Sequence, residues 1–578
     1  MLRGIRWQLF VLMMAAVLVN SLNGPARALT SFPTASPTTQ PAQPTRQPVV
    51  NIQTQAGDDV VTYREALVGN IQRLNPLLAD LNPVDRDITS LIFEGLTRTD
   101  IHGEPTPDLA TSWVISSDGL EYIVRLRQDV LWQDGIPFNA DDVIYTMSLL
   151  QSPDFPGPAE LGKFWRTVEV EKLDTYLVRF RLTQPLGSFL DALRIGILPE
   201  HALRGTTAAH LANHPFNGTP IGTGPYQLEA LRSQDGSRVQ IVDLRVAPVY
   251  RQRPEGKNGY KLERVRFQLF DSFDAALAAL RAGEVDGLAA SNRAERGALM
   301  GIPNVNIDTA LESSVGMVIF NWAKESTRYF REIRLRQALQ MGLDRNSIIE
   351  RLMSTLAVPA NSPLVPGSWA YSADLPWPKP DIGGARALMQ NAKLPTPSAE
   401  ATAEPSAGGP LSFRILTPND PTLVNVVNEI AAQWSQLNIS VSAEPVDTPT
   451  YLKRLDDGDF DAALVELSLG SSADPDVYHF WDQGQYPDGY NYGGMDDRRI
   501  SEELERARRD PSGINRAIRY QNFQREFVER AIALPLYYPL YTYAVASDVT
   551  GVQLGFIGSP ASRFATIQDW AIDTTTKS

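Results

Sequence analysis

Two hydrophobic periods alternate along this chain. Within Glu121–Leu126 the apolar residues Tyr122, Val124 and Leu126 fall on every second position, which predicts a strand with one buried face. Phe273, Leu277 and Leu280 recur at helical spacing, and Gly283 supplies a stop. A longer helical stripe runs through Leu423, Val427, Ile430, Trp434 and Leu437, after which Ile439-Ser440-Val441 opens a strand. Phe460–Leu469 is mostly apolar, the pattern of a strand covered on both faces. Ile500–Arg509 sets Leu504 and Ala507 among charges, as an amphipathic helix does. Strand and helix signals interleaved in this way predict an α/β fold with mixed sheets. No repeat period is visible, which argues against a solenoid or propeller.

Two stretches interrupt the pattern. Thr30–Gln55 and Leu394–Pro410 are rich in Pro, Thr, Ser, Gln and Ala and poor in large apolar residues, so they read as a solvated linker and a surface insertion. At the start, Arg3 and Arg6 precede the apolar run Leu9–Val19, and Ala26-Arg27-Ala28 offers small residues for cleavage. This predicts an export signal over residues 1–28, with an uncleaved anchor as the alternative. The run is short for a membrane span, which takes about 20 apolar residues. At 578 residues the chain is too long for a single core.

Charge and composition narrow the chemistry. The formal net charge of -14 argues against nucleic-acid binding, which needs a basic footprint. Absence of cysteine excludes disulfides, thiolate metal sites and a Cys nucleophile. Gly222-Thr223-Gly224 lacks the Lys and Ser/Thr of a phosphate loop and the third glycine of a dinucleotide loop, so a structural turn is expected. His210 and His214 share a helical spacing, but Leu211 stands where a zincin has glutamate, and no metal site is expected. No nucleophile elbow is present. The expectation is a protein without catalytic residues or cofactor. The segment Gly470–Gly494 is the richest in binding chemistry, with Asp474, Trp481, Tyr490 and Asn491 among its glycines and prolines. Aromatic rings offer a ligand apolar area while Asp and Asn fix its orientation, and such a stretch is expected to be a loop.

The order of motifs adds a resemblance. LNPLL at Leu74–Leu78 is followed by LIFEGLTRTD, PDLATSW, DGLEYIVRLR and WQDGIPFNADDVIYT up to Thr146. PIGTGPY at Pro220–Tyr226, LRAGEVDGL at Leu280–Leu288, FNW at Phe320–Trp322 and RLRQALQMGLDR at Arg334–Arg345 follow. In this order they closely resemble the extracytoplasmic solute-binding proteins of ABC importers, in the peptide/nickel-binding family 5. The resemblance implies a two-lobed clamshell with an extra domain on the first lobe. The first lobe would take residues 58–100, 215–315 and 531–578, the extra domain 101–214, and the second lobe 316–530, with 29–57 as linker. Chain crossings near Gly316 and Ala531 would form the hinge. The implied protein is exported, monomeric, and hands a small-molecule or peptide ligand to a membrane permease. Peptide receptors of the family carry Trp-x-x-Asp-Tyr-x-Asp-Pro here, whose first Asp grips the ligand's α-ammonium group. Asp474-Pro475 matches the end of that pattern, but Ser471 stands at the gripping position. Asn321 and Trp322 fall where the family lines its cleft, and Asn75 near the cleft entrance. The expected ligand sites are therefore Asn75, Asn321, Trp322, Ser471, Asp474, Trp481, Tyr490 and Asn491. Oligopeptide is the expected ligand class, oligosaccharide the alternative, and a ligand-presenting sensor the reading from another class.

Overall fold

The computed structural model describes residues 50–51, 60–233, 236, 238–392, 411–470 and 474–573. The expected export signal, most of the linker, the whole of the insertion and Ser471 lie outside the described residues. Inside the expected linker, Val50–Asn51 pairs in parallel with Arg232–Ser233, so that dipeptide joins a sheet edge.

The two periods give the elements that the pattern predicts. Glu121–Leu126 is a strand with Tyr122, Val124 and Leu126 buried. Phe273–Arg281 is a helix capped by the Ser272 hydroxyl, and Gly283 adopts φ +70° just beyond it. Pro421–Ser435 is a helix capped by Asp420, with Leu423, Val427, Ile430 and Trp434 on its buried face. The apolar run near residue 460 forms the strand Ala462–Ser468, covered on both faces except at Glu466 and Ser468. Gly470–Gly494 differs from the expected loop: Tyr478–Trp481 makes one helical turn and Gln483–Gln485 a short 3-10 turn.

Among the described residues, thirteen strands join in one sheet. At one end, Thr62–Val68 runs parallel to Arg264–Phe270 and to Gly287–Ala289. At the other, Leu411–Pro418 runs parallel to Ile439–Val446 and to Ala462–Ser468. The strand Leu534–Ala546 belongs to both ends. Its first half pairs with Ser314–Phe320 and Ala357–Pro359, its second half with Gly287–Ala289 and Val305–Leu311. The hydrophobic cores divide on this strand, for Tyr538 belongs to the core that holds Val315, Trp434 and Phe527, whereas Tyr541 belongs to the core that holds Tyr63, Phe267 and Trp570. Two lobes therefore share a strand, the arrangement of a clamshell with a hinge. At Gly316, opposite Tyr537, a Cβ would lie 2.2 Å from the Tyr537 ring, so only glycine admits that ring across the hinge sheet.

A four-stranded antiparallel sheet, Ala110–Ile115, Glu121–Leu126, Leu177–Leu182 and Val168–Asp174, packs its aromatic core of Tyr122, Trp165, Phe180 and Phe189 continuously with the first lobe. The Gly222–Gly224 turn is structural: a Cβ at Gly222 would lie 1.8 Å from the Ile92 carbonyl oxygen. Inside the first lobe a buried polar cluster ties the C-terminal segment to the first long strand. Arg563 Nε donates to Glu65 Oε1 at 2.9 Å and its Nη1 to Asp87 Oδ2 at 2.7 Å. The hydroxyls of Tyr63 and Tyr543 donate to Glu65 Oε2 at 2.9 and 2.7 Å. Burial works against the Arg563 charge, but Asp87 and Glu65 more than offset it and raise the guanidinium well above its ordinary pKa.

Candidate ligand-binding cleft

In open parallel sheets, ligands bind in the crevice beyond the carboxyl ends of the strands. In the second lobe that edge is formed by Pro418, Val446 and Ser468, with the helix Pro421–Ser435 starting beside it. Glu466 lies opposite Gly316, which lies opposite Tyr537. The missing Gly316 side chain lets the Tyr537 hydroxyl reach across and donate to Glu466 Oε1 at 2.9 Å. Arg293, at the start of the first-lobe helix Arg293–Leu299, crosses between the lobes to Glu466 and approaches Asp420 at 3.7 Å. Burial opposes both charges of the Arg293–Glu466 pair, yet their attraction wins: the arginine pKa is raised and the Glu466 carboxyl held below its usual range.

Two small cavities of about 20 and 30 Å³ lie in the second lobe and share Leu467 and Tyr492. Trp322, Phe480, Trp481, Tyr490 and Asn491 line the first. Tyr451, Glu466 and Tyr537 line the second, with Pro418 and Leu423 from the strand-to-helix turn. Each has room for about one water or one methyl group.

The candidate residues separate by place and by partner. Trp322, Trp481, Tyr490 and Asn491 come together around the first cavity. Trp322 lies under the Arg336 guanidinium, 4.0 Å from ring centroid to Cζ, and Trp481 meets Phe527 edge-on at 4.7 Å. Asn491 donates from Nδ2 to the Asp482 and Met495 carbonyls and accepts from Met495 N–H, so its amide organises the turn around it. Asn321 does the same: Nδ2 donates to the Gly458 and Phe460 carbonyls, and Oδ1 accepts from the Ala323 and Lys324 backbone. Asn75 is buried in the first lobe, accepting from Leu77 N–H and donating to Asn217 Oδ1. Asp474 is held by both Nη atoms of Arg516 at 2.6 Å each, with both side chains 5% exposed.

Sequence reasoning missed Arg293, Glu466, Tyr537 and Arg516. Glu466 carried a signal, because a charge inside an apolar strand needs a buried partner. The partner carried none, since Arg293 is 173 positions away.

The four-stranded sheet's domain also reaches the second lobe. Gly187 N–H donates to the Arg508 carbonyl at 2.9 Å, and a Cβ at Gly187 would lie 2.4 Å from Arg516 Nε. Gly119 packs against Pro511 on the same face, where a Cβ would meet the proline at 3.5 Å. Among the described residues, the second lobe thus meets the rest of the molecule at the shared strand with Arg293 and at this tip.

The family model described as bacterial extracellular solute-binding proteins, family 5 (middle), matches residues 104–488, more than half of the chain. The oligopeptide-binding protein AppA of Bacillus subtilis is 26% identical over 512 residues, covering 86% of this chain and 89% of that protein. Di/tripeptide-binding protein 2 of Pseudomonas aeruginosa is 26% identical over 474 residues, covering 78% and 84%. Among solved structures, NikZ from Campylobacter jejuni in complex with Ni(L-His) aligns with a TM-score of 0.63 at 26% identity, covering 88% of this chain and 99% of that one.

Proposed function

The chain belongs to the bacterial extracellular solute-binding proteins of family 5, and from that premise we propose that it captures peptides between its lobes and presents them to the permease of an ABC importer. The observation that carries this reading is the shared strand Leu534–Ala546, whose two halves belong to two separate cores. A hinge of this kind lets a ligand complete the contacts between lobes by closing them. The peptide-binding names of the relatives support the ligand class. Binding and release require no chemistry, and the second cavity is bordered by aromatic rings and by Glu466, which Arg293 neutralises. Work outside the cytoplasm follows from the family, and among the described residues no helix is long and apolar enough to cross a membrane.

A peptide bound by the folded protein alone should stabilise it by about 2.7 kcal/mol at about a hundredfold excess over its dissociation constant. Thermal unfolding against pools of short peptides checks this. A midpoint that no pool moves, while sugar or metal pools do, would overturn the peptide reading.

A further inference from the structure

The domain of the four-stranded sheet shares its core with the first lobe, yet its tip seats on the second lobe. Each half of this contact is organised from within its own side. On the tip, the Tyr122 hydroxyl donates to the Leu186 carbonyl at 3.1 Å and holds the turn that carries Gly187. On the second lobe, Arg516 holds the turn between the helices Arg498–Arg509 and Gly513–Glu529. Its Nε donates to the Ala507 carbonyl at 3.1 Å, its two Nη atoms grip Asp474, and it lies over the Trp369 and Tyr520 rings at 5.3 and 5.5 Å. The next carbonyl, that of Arg508, accepts from Gly187 N–H at 2.9 Å.

Gly187 is small because of what faces it across this contact. Its φ lies outside the left-handed region, so its own backbone admits other residues. The three atoms nearest to a Cβ there would all belong to Arg516, at 2.4 to 2.7 Å. A side chain at 187 therefore meets its obstacle on the second lobe. The contact is also remote from the pivot. Arg516 precedes the end of its helix by about 20 Å of helix length, and the shared strand follows that end. The Arg293–Glu466 pair stands beside the pivot, for Glu466 faces Gly316 and Gly316 faces Tyr537 of the shared strand. One neutral hydrogen bond with its packing can open and re-form, whereas separating a buried ion pair is costly.

We infer that the tip is a clasp: closure seats Gly187 on Arg516 and joins it to the Arg508 carbonyl, and the cleft admits ligand by releasing that contact. The Arg293–Glu466 pair stays formed beside the pivot. This rests on the two-lobed receptor reading above.

The chain has no cysteine, so an introduced pair stands alone. A Cβ on Gly119 would lie 3.5 Å from the Pro511 Cβ, within the roughly 3.5–4.5 Å that a disulfide spans. Gly119→Cys with Pro511→Cys is compared oxidised and reduced, because the strain of a side chain at φ +70° is common to both forms. Oxidation is expected to slow uptake of an equimolar pentapeptide library, read by ultrafiltration and mass spectrometry, by about tenfold or more, and reduction to restore it. Equal uptake by the two forms would overturn the inference and leave the peptide reading standing. A pair that stays reduced under oxidant would place the tip away from its seat and overturn it as well. If the unsubstituted protein takes up no peptide, the peptide reading falls and the inference with it. Gly187→Val, which props the contact open, should bind the same library about tenfold more weakly and stay more expanded in small-angle scattering with peptide present. Unchanged affinity and compaction would overturn the clasp.

Discussion

Arg563→Met should destabilise the first lobe by about 3–5 kcal/mol, the cost of removing one partner from a buried charge cluster. The guanidinium is 1% exposed and is shared by Glu65 and Asp87, themselves buried. Methionine fills much of its volume but returns no hydrogen bond, so both carboxylates remain in the core without their cation. Burial already raises the Glu65 carboxyl, with Arg563 and the two tyrosine hydroxyls opposing the shift. Removing the arginine raises it further. A carboxyl with a raised folded pKa favours the folded state below its unfolded pKa and loses that contribution as pH rises through the folded value. The deficit should therefore be full near neutral pH and shrink as pH falls toward about 4. Urea unfolding followed by tryptophan fluorescence at several pH values checks both parts, with the lobes fitted as separate transitions. A loss below about 1 kcal/mol would show that the cluster contributes no more than a surface pair.

Arg516→Met should cost the second lobe a similar amount, about 3–5 kcal/mol, by leaving Asp474 in place without its guanidinium. Burial opposes the Arg516 charge, and Asp474 outweighs it and raises the arginine pKa. This variant has a second consequence, because Gly187 packs directly on the guanidinium and hydrogen-bonds the Arg508 carbonyl. Contact between the extra domain and the second lobe should loosen, seen as faster amide exchange at Gly187. Replacing both charges, Arg516→Met with Asp474→Leu, should restore much of the stability, since an apolar pair of similar volume leaves no charge buried alone. If the double variant were as unstable as the single one, shape rather than charge would be the source of the loss.

Much of the fold was legible because it depends on local periods. The alternation at Tyr122, Val124 and Leu126 and the stripe from Leu423 to Trp434 each state which face is buried, and the structure buries those faces. The family resemblance supplied what periods do not contain, namely two lobes joined by chain crossings, but it gave 531–578 wholly to the first lobe, whereas the first half of Leu534–Ala546 pairs in the second. The site was less legible. Asn321 was singled out by its place in the family pattern and Asn491 for its amide, and both amides hold turns together, a role that sequence cannot separate from ligand binding. Asp474 was singled out because Asp474-Pro475 matches the end of the family pattern, but its arginine is 42 positions downstream. Arg293 and Glu466 meet only after the lobes assemble. Tertiary pairing of charges leaves no periodic trace.

Native mass spectrometry of the protein, isolated without unfolding from the cells that make it, tests the central claim most directly. The account predicts a population carrying a bound species that is released on activation and fragments into amino-acid residues. A bound species that fragments as a sugar, or a metal complex without peptide bonds, would contradict it. So would protein that remains empty when offered a complete peptide digest.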